Sequence, residues 1–261
     1  MENFGSKLEA LDISLFEKIV SQLEDNDKRS LLACQLAVRK MRPGYSYLEI
    51  GSYMGGSIQP HLMDDECTRI ISIDKRPESQ PDERGARYTY KNNSTQRMLD
   101  GLAEIAGDKV KKITTIDGDT RELSAEALDE KVDLCFIDGE HTDPAAVSDF
   151  RFCLDVVKPD GAILFHDAPT VYNGIAECIA MLKSRGLKFR AYSLPAIVFV
   201  VELGDFPMHK EPVISDILTN NHESYLYSLQ YNDYYRQFAN KTPFRLYRNI
   251  VSKLRGANKF D

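Results

Sequence analysis

"YLEIGSYMGG", residues 47–56, decides how this chain folds. A short apolar strand runs into the carboxylate of Glu49 and then into glycines, which is how a β-strand passes through a tight turn into a helix. The chain beyond repeats the alternation. Strand patterns lie near 46–50, 69–73, 111–116, 132–137 and 161–165, and helical patterns near 56–64, 94–106, 121–130, 144–157 and 173–185. Regular β-then-α alternation predicts a parallel sheet covered by helices on both faces.

Two further strand patterns, "LKFRAYS" (187–193) and "AIVFVVEL" (196–203), are separated only by "LP". So short a link predicts an antiparallel hairpin, because parallel neighbours need a longer crossover. The expected fold is therefore α/β: a Rossmann-like, doubly wound, seven-stranded sheet, mostly parallel with a C-terminal antiparallel hairpin. Helical additions flank it. Two amphipathic helices are expected over 6–24 and 27–41, where Leu8, Leu11, Leu15, Ile19 and then Leu31, Leu32, Leu36 recur at helical spacing. The division is N-terminal helices over 1–43, the α/β domain over 44–205, and a helical, tyrosine-rich and basic extension over 206–261. The polar segment 77–92, broken by Pro and Gly, reads as a loop or insertion beside the second strand.

At 261 residues, 43% of them hydrophobic, the chain can bury a sizeable core. No run approaches the roughly 18 to 20 apolar residues of a membrane span, and the N-terminus lacks a secretion-signal layout, so a soluble cytoplasmic protein is expected. Cys34, Cys67, Cys135, Cys153 and Cys178 are odd in number and scattered, which suggests neither a disulfide framework nor a structural zinc site. The net charge is −7, yet Arg236 to Phe260 holds seven Lys/Arg and no Asp/Glu. The rest is strongly acidic, which argues against nucleic-acid binding.

In open α/β sheets, ligands bind beyond the C-terminal strand ends. Read as a dinucleotide fingerprint, Gly51-x-Tyr53-x-x-Gly56 places a tyrosine where backbone should approach a pyrophosphate, which disfavours a phosphate ligand. Read as Glu49-x-Gly51-x-x-x-Gly55, the stretch resembles motif I of the class I S-adenosylmethionine-dependent methyltransferases. That ligand carries an ammonium, a carboxylate and a sulfonium but no phosphate, so a strand-end carboxylate and bare loop amides suit it. A tight turn holding no ligand is the alternative. The candidate cofactor contacts are Glu49, Gly51, Ser52, Tyr53, Gly55 and Ser57. Asp74 ends the second strand, where an acid can accept from both ribose hydroxyls. Asp119 in "IDGDTREL" resembles the acid that faces the adenine amine, though a plain Asp-Gly turn reads equally well there.

"VDLCFIDGEHTDPAAVSDFRFCLDVVKPDGAILFHDAP", residues 132–169, is the most specific segment. Two adjacent strands end at Asp138 and at His166-Asp167, with His141 nearby. Acids gathered at one rim repel unless protonated or bridged by a cation. Oxygen ligands suit Mg²⁺, and a histidine shifts preference toward Mn²⁺, Fe²⁺ or Zn²⁺.

The pattern "IDGEH…LFHD" resembles the metal-dependent small-molecule O-methyltransferases, especially the macrolide-sugar branch and its relatives near cephalosporin hydroxylase. The resemblance covers about residues 46–203. It implies a divalent cation, Mg²⁺ or Mn²⁺, at Asp138, His166 and Asp167, with Asp138 also beside the cofactor. It also implies His141 or His166 as the catalytic base, and a hydroxyl of a sugar or other small metabolite as the methyl acceptor. Two positions depart from the pattern: Ala168 replaces an Asn of the catechol-type enzymes, and His166 replaces a Glu. For His141, packing over the cofactor or bonding at a helix start is an equal reading; for His166, a structural histidine is the alternative.

The rival readings are a nicotinamide-dependent oxidoreductase and a non-catalytic cofactor-binding scaffold. Near the end, "FRLYRNIVSKLR" (244–255) patterns as a basic amphipathic helix able to touch an anionic membrane or a partner. The tyrosine-rich 222–238 can line a cleft or a homo-oligomer interface.

Overall fold

The computed structural model describes residues 3–85, 87–233 and 241–254. Its centre is β1 (Ser46–Ile50), buried along its whole length. A strand covered on both faces needs apolar residues pointing both ways, and β1 provides them. Tyr47 joins the core on one side of the sheet, while Leu48 and Ile50 join the core on the other.

β1 pairs in parallel with β2 (Arg69–Asp74) on one edge and β6 (Val132–Ile137) on the other. β5 (Ile113–Asp117) lies outside β2, and β7 (Val157–Phe165) beside β6, all parallel. β9 (Phe199–Leu203) then runs antiparallel between β7 and β8 (Phe189–Ser193). The resulting order, β5-β2-β1-β6-β7-β9-β8, is the expected seven-stranded sheet, and its antiparallel end is the β8–β9 pair. One face is covered by α2 (Asp25–Met41), α3 (Gln59–Met63) and α4 (Thr95–Ala106). The other is covered by α5 (Asp143–Val156), α6 (Tyr172–Ser184) and α8 (His222–Tyr231).

Three elements differ from the sequence expectation, the first two because side chains take over backbone hydrogen bonds. The helix expected over 6–24 stops early: α1 is only Phe4–Glu9. Leu11 turns left-handed at φ 49°, and the Asp12 carboxylate accepts from Ser14 N at 2.9 Å, starting a short 3-10 turn at Ile13–Phe16. Short polar side chains compete with helix in this way. The Gln59 amide then holds the following segment, accepting from Ile19 N (2.7 Å) and donating to the carbonyls of Phe16 (3.1 Å) and Ile19 (2.9 Å). The helix expected over 121–130 is a single 3-10 turn, Ala125–Ala127, capped by Ser124.

The third difference bears on function. The expected loop 77–92 forms a small antiparallel hairpin from β3 (Ser79–Pro81) and β4 (Arg87–Thr89). A bridge between Asp82 and His141 folds its tip back toward the strand ends. α5 begins at Asp143, capped by Thr142, whose Oγ1 accepts from Ala145 N at 3.3 Å. A C-terminal helix spans Phe244–Leu254 and leaves Leu246, Tyr247 and Ile250 exposed. Residues 234–238 of the tyrosine-rich stretch and Arg255 lie outside the described residues. No helix among the described residues is long and apolar enough to cross a membrane.

Candidate active site

The 47–56 turn is built around backbone contact. Gly51 has φ +92°, and a Cβ there would sit 2.1 Å from the Asp138 carbonyl oxygen, so the β1 and β6 ends meet at a residue that must lack a side chain. Tyr53 is also left-handed, at φ 44°. Its N–H donates to Asp74 Oδ2 at 2.9 Å, while Arg76 N donates to Asp74 Oδ1 at 2.6 Å. Arg76 closes the turn by donating from Nη1 to the Tyr53 carbonyl at 2.5 Å. Asp74, read from sequence as a ribose acceptor, thus braces the glycine turn from the end of β2. Ser52 bonds Ser72 through hydroxyls 2.6 Å apart. At Gly55, with φ +81°, the chain passes over Met98 and Leu102 of α4.

Glu49 is fully buried beneath this turn, where the hydroxyls of Tyr47 and Ser57 each donate to it at 2.6 Å. Burial pushes its carboxyl up to about 8 despite those bonds, with Asp138 and Asp74 adding repulsion.

Beside the turn a cavity of about 370 Å³ opens between the ends of β1, β2, β5 and β6, lined by Gly51, Asp74, Asp119, Gly139 and Asp149 among others. Asp119 lies in it, but its carboxylate is gripped by the Arg121 guanidinium, which holds it well below the usual range. Lys75 spans the mouth, 3.4 Å from Asp119 and 2.8 Å from Glu140. Asp149, from α5, accepts from Thr120 Oγ1 at 2.5 Å, and burial pushes it up to about 6. Lys75, Glu140, Arg121 and Asp149 were not singled out from sequence. For Lys75, Arg121 and Glu140 the only signal is a position within a turn of a strand end, and Asp149, inside α5, carries none.

The second half of the site follows from strand register. Ile137 of β6 lies opposite Phe165 of β7, so Asp138 and His166-Asp167 emerge side by side. His166 Nδ1 lies 3.0 Å from Asp138 Oδ1 and 2.9 Å from Asp167 Oδ2, and its Nε2 faces Asp27 Oδ2 of α2 at 3.5 Å. Burial pushes the imidazole down, but the charges and bonds of Asp138, Asp167 and Asp27 outweigh it and raise His166 well above its usual value. His166 Nδ1 thus sits between the two acids. Asp167, left-handed at φ 50°, turns its carboxylate toward His141, whose Nε2 is 3.1 Å away; Asp138 Oδ1 is 3.9 Å from the same nitrogen.

Ligand atoms of Asp138, His141 and Asp167 all lie within 4.8 Å of one another. Two carboxylate oxygens and one imidazole nitrogen at that spacing fit around a single divalent ion, and such a mixed set suits Mn²⁺, Fe²⁺ or Zn²⁺ better than Mg²⁺. Asp138 and Asp167 come together as the sequence suggested, and the nitrogen grouped with them is that of His141. Ala168 is buried, its N–H donating to the Ile197 carbonyl at 3.0 Å. It presents no side-chain donor where the catechol-type pattern has Asn.

Comparison with known proteins agrees with this geometry. Residues 48–168, the span from β1 through the second acid, match the model of the methyltransferase domain family. A putative O-methyltransferase from Klebsiella pneumoniae superposes with a TM-score of 0.50 at 15% identity, over 78% of this chain and 91% of that one. Cofactor-bound Rv0187 from MTB gives 0.50 at 13% identity, over 76% and 89%. An uncharacterized protein, R132 of Acanthamoeba polyphaga mimivirus, is 25% identical over 179 residues, covering 66% of this chain and 72% of its own length. The sheet with its antiparallel seventh strand gives this chain the fold of the class I S-adenosylmethionine-dependent methyltransferases, and residues 48–168 carry the match to a methyltransferase domain.

Proposed function

We propose that the protein is an O-methyltransferase that uses a divalent cation and acts on a hydroxyl of a small molecule, sugars included. The grouping of Asp138, His141 and Asp167 at the rim shared with the cofactor cavity carries this reading. When bound, S-adenosylmethionine supplies the methyl group, and a divalent cation supplies the charge that makes a neighbouring hydroxyl more acidic.

The protein's own part is positioning. Asp138 and Asp167 would present oxygens to the ion and His141 Nε2 the third donor, while His166 Nδ1, 3.0 Å from Asp138 and 2.9 Å from Asp167, bridges the two acids so that they converge. Gly51 brings the cofactor turn against the Asp138 backbone, so donor and acceptor sites share one strand end. The Tyr53 and Tyr90 rings meet edge-on beside the glycine turn, with centroids 5.1 Å apart. The net charge of −7 favours a neutral acceptor over a nucleic acid.

Calorimetry with S-adenosylhomocysteine, with and without Mn²⁺, tests cofactor and ion together. Asp138→Asn with Asp167→Asn is expected to keep cofactor binding and to abolish the Mn²⁺ heat. Unchanged Mn²⁺ binding in that double variant would remove the metal from the mechanism.

A further inference from the structure

The hairpin tip brings in a carboxylate that neither the sequence pattern nor the methyltransferase scaffold accounts for. The Asp82 side chain is completely buried, 59 residues before the histidine it meets. Its Oδ1 accepts from Arg84 N at 2.7 Å and Arg84 Nε at 2.8 Å; its Oδ2 accepts from Arg84 Nη2 at 2.6 Å and faces His141 Nδ1 at 3.3 Å. The backbone reinforces the pairing, since Glu83 N donates to the His141 carbonyl at 2.9 Å and Glu83 Oε1 accepts from Asp143 N at 3.0 Å. The Tyr88 ring meets the imidazole edge-on at 5.7 Å.

This arrangement has a definite consequence for the imidazole. A neutral histidine carries its single ring proton on Nδ1 or on Nε2, and the choice is set by what the other nitrogen bonds. Each nitrogen of His141 faces a carboxylate, Asp82 at Nδ1 (3.3 Å) and Asp167 at Nε2 (3.1 Å); Asp82 is the partner that can hold the proton on Nδ1, which frees the Nε2 lone pair for an ion shared with Asp138 and Asp167. Arg84 balances the charge of Asp82, so what the carboxylate contributes to His141 is direction.

We propose that Asp82 is the positioning residue of His141: it fixes the Nδ1–H form and the ring orientation, so that Nε2 is delivered to the site at Asp138 and Asp167. The β3–β4 hairpin is on this account part of the active site. What Nε2 does once delivered rests on the function proposed above; its delivery does not.

The test uses the full chain with Asp82→Ala and Asp82→Asn. Asp82 does not line the cofactor cavity, so S-adenosylhomocysteine affinity within a few-fold of wild type confirms that each variant is folded. Mn²⁺ affinity is expected to fall about 10- to 100-fold in Asp82→Ala, as for other lost partners of a ligating histidine. Asp82→Asn, whose amide oxygen still accepts from Nδ1–H, should recover most of it. Long-range ¹H–¹⁵N spectra at alkaline pH, without metal, should show a larger Nδ1–H fraction for His141 in wild type than in Asp82→Ala. Wild-type Mn²⁺ affinity and an unchanged His141 spectrum in Asp82→Ala would overturn the proposal. If wild type binds no Mn²⁺, the metal reading fails and the spectra alone decide: an Nδ1–H fraction that falls in Asp82→Ala upholds the role of Asp82, and identical spectra refute it.

Discussion

Gly51 and Glu49 show how much of the site depends on single residues. Any side chain at Gly51 meets the Asp138 carbonyl at 2.1 Å and must also adopt φ +92°. Neither backbone is the flexible end of a side chain, so the clash has no cheap release. Gly51→Ala is expected to cost about 2–4 kcal/mol in urea unfolding and to abolish S-adenosylhomocysteine binding. A loss below about 1 kcal/mol would show that the β1 and β6 ends separate easily. Glu49 imposes a pH dependence. Its folded pKa, raised by burial to about 8 from an ordinary 4.5, means that the folded state holds a proton the unfolded chain gives up. The stabilising contribution is complete below about 4.5 and is lost as pH rises through about 8, at up to about 1.4 kcal/mol per pH unit. Wild type should therefore lose stability relative to Glu49→Gln between pH 5 and 8, by a few kcal/mol in parallel urea titrations. Parallel curves would mean that Glu49 is ionised throughout.

At the scale of elements, the strands were legible because each is an apolar run stopped by an acid or a turn, and a strand buried on both faces leaves no other reading. Asp74, Asp138 and Asp167 were legible for the same reason: position at a strand end places them on the rim without any knowledge of tertiary contacts. What sequence could not supply was partnership across distance. Asp82 lies in a polar segment whose two strands are three residues each, too short for a period-2 pattern, and its place is set by contact with His141 rather than by local propensity. Asp27 reads as a helix-start residue, which it is, yet it also reaches His166 from α2. The helix expected at 6–24 failed at Asp12 because a local side-chain bond displaced a backbone one. The hairpin yields its own prediction. Replacing 79–89 by a short glycine linker should leave S-adenosylhomocysteine binding within a few-fold, since Gln80 alone of the hairpin lines that cavity. Methyl transfer should be lost with it. Retained transfer would show that the hairpin only covers the site.

For the molecule as a whole, the sheet divides the interior into two cores that share a single rim. Cys34 and Cys67 lie in the core under α2, and Cys135, Cys153 and Cys178 in the core under α5 and α6; all five are buried as free thiols. Burial pushes Cys67 up to about 12 and Cys153 well above its ordinary value, so neither reacts as a thiolate while the protein is closed. Labelling by a thiol reagent therefore reports opening of the core around each cysteine. The cofactor cavity is formed by the ends of β1, β2, β5 and β6, the strands both cores rest on. A ligand held there at 100 times its dissociation constant stabilises the closed state by about 2.7 kcal/mol, which is about a 100-fold reduction in the open population. If the sheet opens as one unit, S-adenosylhomocysteine should slow labelling of Cys67 and of Cys153 by the same factor, read by peptide mapping after timed exposure. Unequal protection would mean that one face detaches while the sheet and its bound cofactor stay in place. In that case the rim would be a hinge between two separately stable halves.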